Sequence, residues 1–126
     1  MKVKKNSPIV ILDNGVTVVG EPLYERCHSE NKSHTVFFTP DLLPIEEYTG
    51  NYGLLVGVLQ PDRLVYVKRL KQDMYQLSVY SALNHTFLHT LPQTVRFTII
   101  SVAHHPKTGW FAIGDALKNC GVPLEI

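Results

Sequence analysis

The sequence predicts a mainly β (α+β) fold, an antiparallel β-meander or partly closed barrel with one C-terminal α-helix. Short apolar runs are rich in β-branched and aromatic residues, and turn residues such as Asn14-Gly15 and Gln60-Pro61-Asp62 separate them. A clear helical repeat occurs near the end of the chain. With 126 residues, of which 44% are hydrophobic and 18% charged, we expect a single domain over residues 1–126.

The first part of the chain predicts a hairpin followed by irregular segments. Residues 9–20 contain two β-branched runs around Asp13-Asn14-Gly15, and an Asn-Gly pair accepts the positive φ angles of a tight turn. Residues 21–34 are polar and without period, which indicates a loop. Residues 35–40 predict a strand that stops at Pro40, and residues 41–51 predict one helical turn or a loop.

The middle of the chain predicts the regular part of the fold. Residues 52–59 form a continuous apolar run, which is typical of a strand that is buried on both faces or central in its sheet. Residues 63–70 and 74–80 predict two more strands, and three-residue turns connect all three. This spacing predicts an antiparallel meander.

The C-terminal part predicts a loop, a strand and a helix. Residues 81–92 are interpreted as a loop or short helix that ends before Pro92, and residues 94–105 as a long strand. In residues 110–121, apolar side chains recur at helical spacing and Gly121 follows as a C-cap, which predicts a helix.

The composition indicates a soluble protein without a specialised charge bias. The formal net charge is +1, so neither a nucleic acid nor a membrane is the expected partner. No apolar run approaches the roughly 20 residues that a transmembrane helix needs. Cys27 and Cys120 are far apart in sequence and are interpreted as reduced thiols in a cytoplasmic protein, with a single disulfide as the alternative.

Lys68 occupies an unusual position for a charged residue. If residues 64–70 form a strand, then Leu64, Tyr66, Lys68 and Leu70 share a face that looks inward. An amine on an apolar face loses solvation, which lowers a lysine pKa and favours the neutral base. In the alternative interpretation, the aliphatic stem lies along the sheet and the ammonium reaches water at its edge.

The segment around Lys68 resembles the C-terminal domain of LexA and phage repressors, the S24 family of serine–lysine peptidases. The resemblance covers about residues 41–104 and includes Asp41-Leu42-Leu43, the glycine-led run Tyr52-Gly53-Leu54-Leu55-Val56, and Val67-Lys68-Arg69-Leu70. It implies a compact β fold, a catalytic role for Lys68, and dimerisation through strands and C-terminal ends.

The nucleophile box of that family, glycine-aspartate-serine-methionine, is missing from this sequence. The serines nearest to its place are Ser29 and Ser33, and neither follows a glycine. These two residues and Lys68 are therefore the candidate catalytic set, with the neutral lysine taking the proton of a serine hydroxyl.

Histidines and tyrosines supply the remaining candidate sites. His85 and His89 would share a face if residues 84–90 were helical, but no glutamate follows His85 and Pro92 is close, so surface histidines in a loop are expected, with no metal and no cofactor. Tyrosines are more numerous than a small core needs, and an exposed aromatic patch would indicate a protein partner.

Three functions remain open from the sequence. The first is a noncatalytic, LexA-like β domain that mediates protein–protein association, with a homodimer as the expected partner. The second is a serine–lysine autopeptidase that uses Lys68 with Ser29 or Ser33. The third is a small-ligand-binding β domain unrelated to the peptidase family.

Overall fold

A computed structural model describes residues 7–23, 31–71, 74–95, 101–105, 109–113 and 121–124. These residues form strands and turns, and none of them is helical. Cys27, Ser29 and Cys120 lie outside the described residues. The strands are β1 (Ile9–Ile11), β2 (Thr17–Pro22), β3 (Ser33–Phe38), β4 (Pro44–Gly50), β5 (Leu54–Leu59), β6 (Arg63–Lys71), β7 (Met74–Ser81), β8 (Phe87–Val95), β9 (Ser101–His105), β10 (Gly109–Ile113) and β11 (Gly121–Leu124).

The strands make three antiparallel sheets. The first sheet has the order β1-β2-β3-β4, the meander sheet has the order β5-β6-β7-β8, and the C-terminal sheet has the order β11-β10-β9. Neighbours in each sheet are consecutive in sequence, so short connections suffice. A mainly β, antiparallel fold is confirmed, and the described strands form open sheets and no closed barrel.

The predicted N-terminal hairpin is confirmed. Strands β1 and β2 pair from Ile9 opposite Val19 to Ile11 opposite Thr17. Gly15 has φ 89°, a value that favours glycine, and its N–H donates to Leu12 O at 2.9 Å. The loop is therefore longer than a two-residue turn, but glycine has the role that the sequence indicates.

The predicted meander is also confirmed. Strands β5, β6 and β7 pair in sequence order, and β6 is the longest of the three at nine residues. Residues of β6 alternate as expected: Leu64 and Tyr66 contact one hydrophobic cluster, whereas Val65 and Val67 contact another. Both faces of this strand are buried, which explains its almost continuous apolar run.

Three predictions of local structure are wrong. Residues 44–50 form strand β4 rather than a helical turn or loop, and residues 87–95 continue as strand β8 through Pro92. The helix predicted over residues 110–121 is wrong for residues 110–113, because residues 109–113 form β10 and pair with β9 and β11. Residues 114–120 of that prediction lie outside the described residues.

The meander sheet lies between the other two sheets. On one face, Leu55, Leu64, Tyr66 and Tyr80 pack against residues of the first sheet, including Phe37. On the other face, an aliphatic cluster extends to β9 of the C-terminal sheet through Val65, Val67, Leu77, Val79, Leu91, Val95 and Val102. None of the described residues builds a helix that could span a bilayer.

Glycines set the distance between the sheets at two places. A Cβ atom on Gly20 of β2 would lie 2.7 Å from the Leu55 Cβ atom, and one on Gly57 would lie 2.5 Å from a methyl group of Val102. Real Cβ atoms do not approach other atoms this closely. The absence of a side chain at Gly20 and Gly57 therefore lets β5 pack against β2 and β9 at the same time.

Candidate functional site

Lys68 lies near the end of β6, on the same face as Tyr66. Its side chain is half-buried, and its Cγ atom is close to Gly53, where an added Cβ would be 3.1 Å away. Gly53 has φ 88° and packs on the backbone of Val67. The chain at Gly53 thus packs closely on β6, and the aliphatic stem of Lys68 lies against it.

Ser33 begins strand β3 and is 2% exposed. Its Oγ atom is buried and has no hydrogen-bond partner among the described residues, so Ser33 and Lys68 do not form a hydrogen-bonded dyad in this conformation. The structure describes no position for Ser29. The candidate catalytic set from the sequence therefore remains a prediction.

Asn31 brings the segment before Ser33 to the strand that carries Lys68. Its Nδ2 donates to Arg69 O at 2.8 Å, and its Oδ1 accepts from Arg69 N at 2.8 Å. Its own carbonyl oxygen accepts from Gly53 N at 2.7 Å. A single side-chain amide thus takes the place of a neighbouring strand's peptide group and links the first sheet to the meander sheet.

The interior between these two sheets contains a hydrogen-bonded chain of side chains. Tyr66 Oη is 2.6 Å from Thr35 Oγ1 and 2.8 Å from His85 Nε2. Thr35 and Tyr66 are fully buried, and His85 is 7% exposed. Thr35 belongs to β3, Tyr66 to β6 and His85 to the turn before β8, so this chain connects three separate segments.

Aromatic rings enclose His85 on several sides. The imidazole is stacked between the rings of Tyr48, at 4.7 Å and 13°, and Tyr80, at 5.2 Å and 25°. Tyr52 meets it edge-to-face at 4.3 Å, and Tyr66 meets it edge-to-face at 5.7 Å. We call Thr35, Phe37, Tyr48, Tyr52, Tyr66, Tyr80 and His85 the tyrosine–histidine cluster.

Burial controls protonation in this cluster. Desolvation lowers the pKa of His85 to about 4, because water no longer stabilises the imidazolium ion. Desolvation also raises the pKa of Tyr66, although the hydrogen bond from Thr35 partly opposes that change. At neutral pH the chain Thr35–Tyr66–His85 is therefore uncharged.

The expectation of surface histidines is wrong for His85, which is buried and has φ 51° in a turn. His89 is half-buried and lies on β8. The described residues contain no group of three or more side chains suited to hold a metal ion. Four tyrosines pack in the cluster, where the sequence suggested an exposed aromatic patch. In the sequence, His85 stands among turn-forming residues, so no local pattern indicates that it is buried.

A groove opens at one end of the packing between the first sheet and the meander sheet. Its volume is about 180 Å³, which is below the roughly 300–1,000 Å³ of most small-molecule sites. Phe37, Leu12 and Val16 contribute apolar surface, and Glu46 and Asp62 contribute carboxylates. The remaining lining residues are Asn14, Ile45, Pro61, Ala82 and Leu83.

Strand β8 forms an edge of the meander sheet and carries exposed apolar side chains. Phe87 is 51% exposed and Leu88 is 43% exposed. No Asp, Glu, Lys or Arg occurs in residues 74–95, which include all of β7 and β8. On its other side, β8 pairs with β7. The register of this pairing shifts twice, once between Gln76 and Ser78 and once between Val79 and Tyr80 of β7.

Comparisons with protein-family models, with curated proteins and with solved structures return no match for this chain.

Proposed function

We propose that the chain is a noncatalytic β domain that associates with a second copy of itself, and that β8 is the edge that pairs. The uncharged, apolar edge at Phe87 and Leu88 carries this proposal. An edge strand offers unpaired backbone N–H and C=O groups, and proteins usually protect such edges with charges, prolines or short strands.

The β4 edge of the first sheet has charged residues, which β8 lacks. Strand β4 carries Glu46 and Glu47 at its centre and is exposed over most of its length. Antiparallel pairing of two β4 strands would bring these carboxylates together, which is unfavourable. The β4 and β8 edges therefore differ in charge, and of these two only β8 suits pairing with an identical strand.

Two copies of β8 can pair antiparallel about a two-fold axis, which makes the interface self-complementary. Pro92 has no N–H to donate, so we place the pairing in residues 87–91, ahead of this proline. Phe87 and Leu88 then add apolar contacts on the two faces of the extended sheet. The resemblance to LexA-type domains, which implies dimerisation through strands, supports the same conclusion.

Size-exclusion chromatography with light scattering tests this proposal. We expect the native chain to elute with the mass of a dimer and Leu88→Lys to lower that mass toward the monomer, because it would place two ammonium groups diagonally across the paired edge, on the same face of the sheet. Ile9→Lys, an equal change at an exposed residue of β1, serves as the control and should leave the dimer intact. A native chain that stays monomeric up to about 1 mM, or equal masses for both variants, would contradict the proposal.

A serine–lysine autopeptidase is the second candidate function. It is supported by the Asn31 contacts, which place the start of β3 beside the strand that carries Lys68. The activity would need a rearrangement that brings the Ser33 or Ser29 hydroxyl to the Lys68 amine. Incubation at alkaline pH tests it: cleavage of the native chain that Lys68→Ala abolishes would establish the peptidase and exclude the noncatalytic proposal.

A further inference from the structure

The groove combines an apolar floor with negative charge. Among the described residues that line it, only Glu46 and Asp62 are charged, and both are carboxylates. The next residue after Asp62 is Arg63, but it alternates with Leu64 and so lies on the opposite face of β6. The groove is thus suited to one apolar side chain that is accompanied by a cation.

Such a group occurs on the same molecule at the far end of β6. In the pairing of β6 with β7, Arg69 lies opposite Tyr75 and Lys71 opposite Met74, so Leu70 has no opposite residue and forms a bulge. Leu70 is 50% exposed, and Lys71 beside it is exposed. The bulge thus presents an aliphatic side chain next to an ammonium group.

We propose that the groove of one molecule receives Leu70 of a second copy, with Lys71 of that copy against Glu46 and Asp62. This contact rests on the proposed self-association and adds a second, head-to-tail interface to the β8 pair. An aliphatic anchor in a pocket that excludes water, with opposite charges at the rim, is the usual composition of a small specific interface.

Distance requires the contact to be intermolecular. Asp62 in the groove directly precedes β6, and the chain reaches Leu70 after a rise of roughly 25 Å, at about 3.3 Å per residue. Leu70 therefore cannot turn back into the groove of its own chain. The groove volume of about 180 Å³ also suits one side chain better than a free ligand.

A contact between two different surfaces leaves one groove and one Leu70 free on every pair, so it extends into rings or open chains. Combined with β8 pairing, it predicts masses above the dimer at high protein concentration. The charges at its rim predict that added salt weakens it, since exposed charges are screened beyond about 10 Å at 0.1 M ionic strength.

The test uses the full chain with Leu88→Lys, so that β8 pairing does not contribute. Sedimentation equilibrium should show concentration-dependent association of this parent. Glu46→Lys should weaken the association at least tenfold, and Leu70→Ser with Lys71→Ser should do the same. Glu47→Lys is the matched control: it changes the charge equally on the opposite face of β4, where Glu47 contacts His34 at 3.1 Å, and should bind as the parent does.

Mixing gives the decisive measurement. The Glu46→Lys chain keeps an intact Leu70 end, and the Leu70→Ser, Lys71→Ser chain keeps an intact groove, so an equimolar mixture should form two-chain complexes and stop there. If Glu46→Lys does not fold by circular dichroism, Asp62→Lys replaces it.

A monomeric parent, a Glu47→Lys effect equal to that of Glu46→Lys, or a mixture no heavier than its components would overturn the inference. A failure of the β8 proposal is distinguishable, because it appears as equal masses of the native and Leu88→Lys chains.

Discussion

The two faces of the meander sheet differ in chemistry, although the same strands supply both. One face is aliphatic at its centre, where Val65, Leu77 and Val79 have no polar side-chain atoms. The other face holds the tyrosine–histidine cluster, in which Tyr66 Oη contacts both Thr35 and His85. The aliphatic face depends on volume alone, whereas the aromatic face also depends on which polar atoms meet, so the latter specifies how the first sheet docks.

The largest expected effect is on the aliphatic face. Leu77 is 2% exposed, and Leu77→Ala should lower the free energy of unfolding by about 3 kcal/mol through lost burial and the cavity that remains. Urea denaturation measures this change, and the loss should be the same at pH 5 and pH 7. A loss below about 1 kcal/mol would show that this face is not a close-packed core.

A smaller effect is expected where shape is kept and a polar contact is removed. Tyr66→Phe should cost about 2 kcal/mol, because Thr35 and His85 would remain buried without their shared partner. Tyr80→Phe is the control: Tyr80 is equally part of the cluster, but its hydroxyl bonds to no described residue, so its loss should cost less than half as much. Equal losses would mean that the Tyr66 hydrogen bonds add no specificity.

A third effect, similar in size to that of Tyr66→Phe, is a pH dependence of the aromatic face. An unfolded histidine takes up a proton below its ordinary pKa of about 6.5, whereas the pKa of His85 in the folded chain is about 4. The unfolded state thus binds more protons in this window, and stability falls as the pH is lowered from about 6.5 to 4. We expect a loss of about 2 kcal/mol, after allowance for the solvent that still reaches the ring.

The variant His85→Asn isolates this contribution, since asparagine tolerates the φ of 51° and does not titrate. Its stability should change less between pH 6.5 and 4 than that of the native chain, although its value at pH 7 should be lower. A native profile in His85→Asn would assign the dependence to carboxylates instead.

The sequence predicted correctly those elements that are determined by their own residues, such as a turn glycine or the alternation of a strand. The glycine at position 15 marked the first hairpin, and alternation in residues 63–70 assigned Val65 and Tyr66 to opposite faces. The half-buried position of Lys68 also follows from this alternation. These features need no knowledge of distant residues.

The elements that were predicted wrongly depend on distant partners. Strand β4 contains Glu46 and Glu47 and looks like a loop, but β3 supplies its hydrogen bonds. Trp110 and Ile113 fit a helical repeat, yet pairing with β9 and β11 makes residues 109–113 extended. His85 is buried only because Tyr48 and Tyr80 come from two sheets to enclose it. Tertiary contacts override weak local preference in each case.

The bidentate contact of Asn31 with the Arg69 backbone has a consequence for how the protein would age. Deamidation would replace the donor Nδ2 with a carboxylate oxygen, which would then face Arg69 O and repel it. The isosteric aspartate would loosen the attachment between the first sheet and the meander sheet without any change in size. Slow deamidation of this one amide would therefore weaken the contact between the two sheets, although every hydrophobic residue between them stays unchanged.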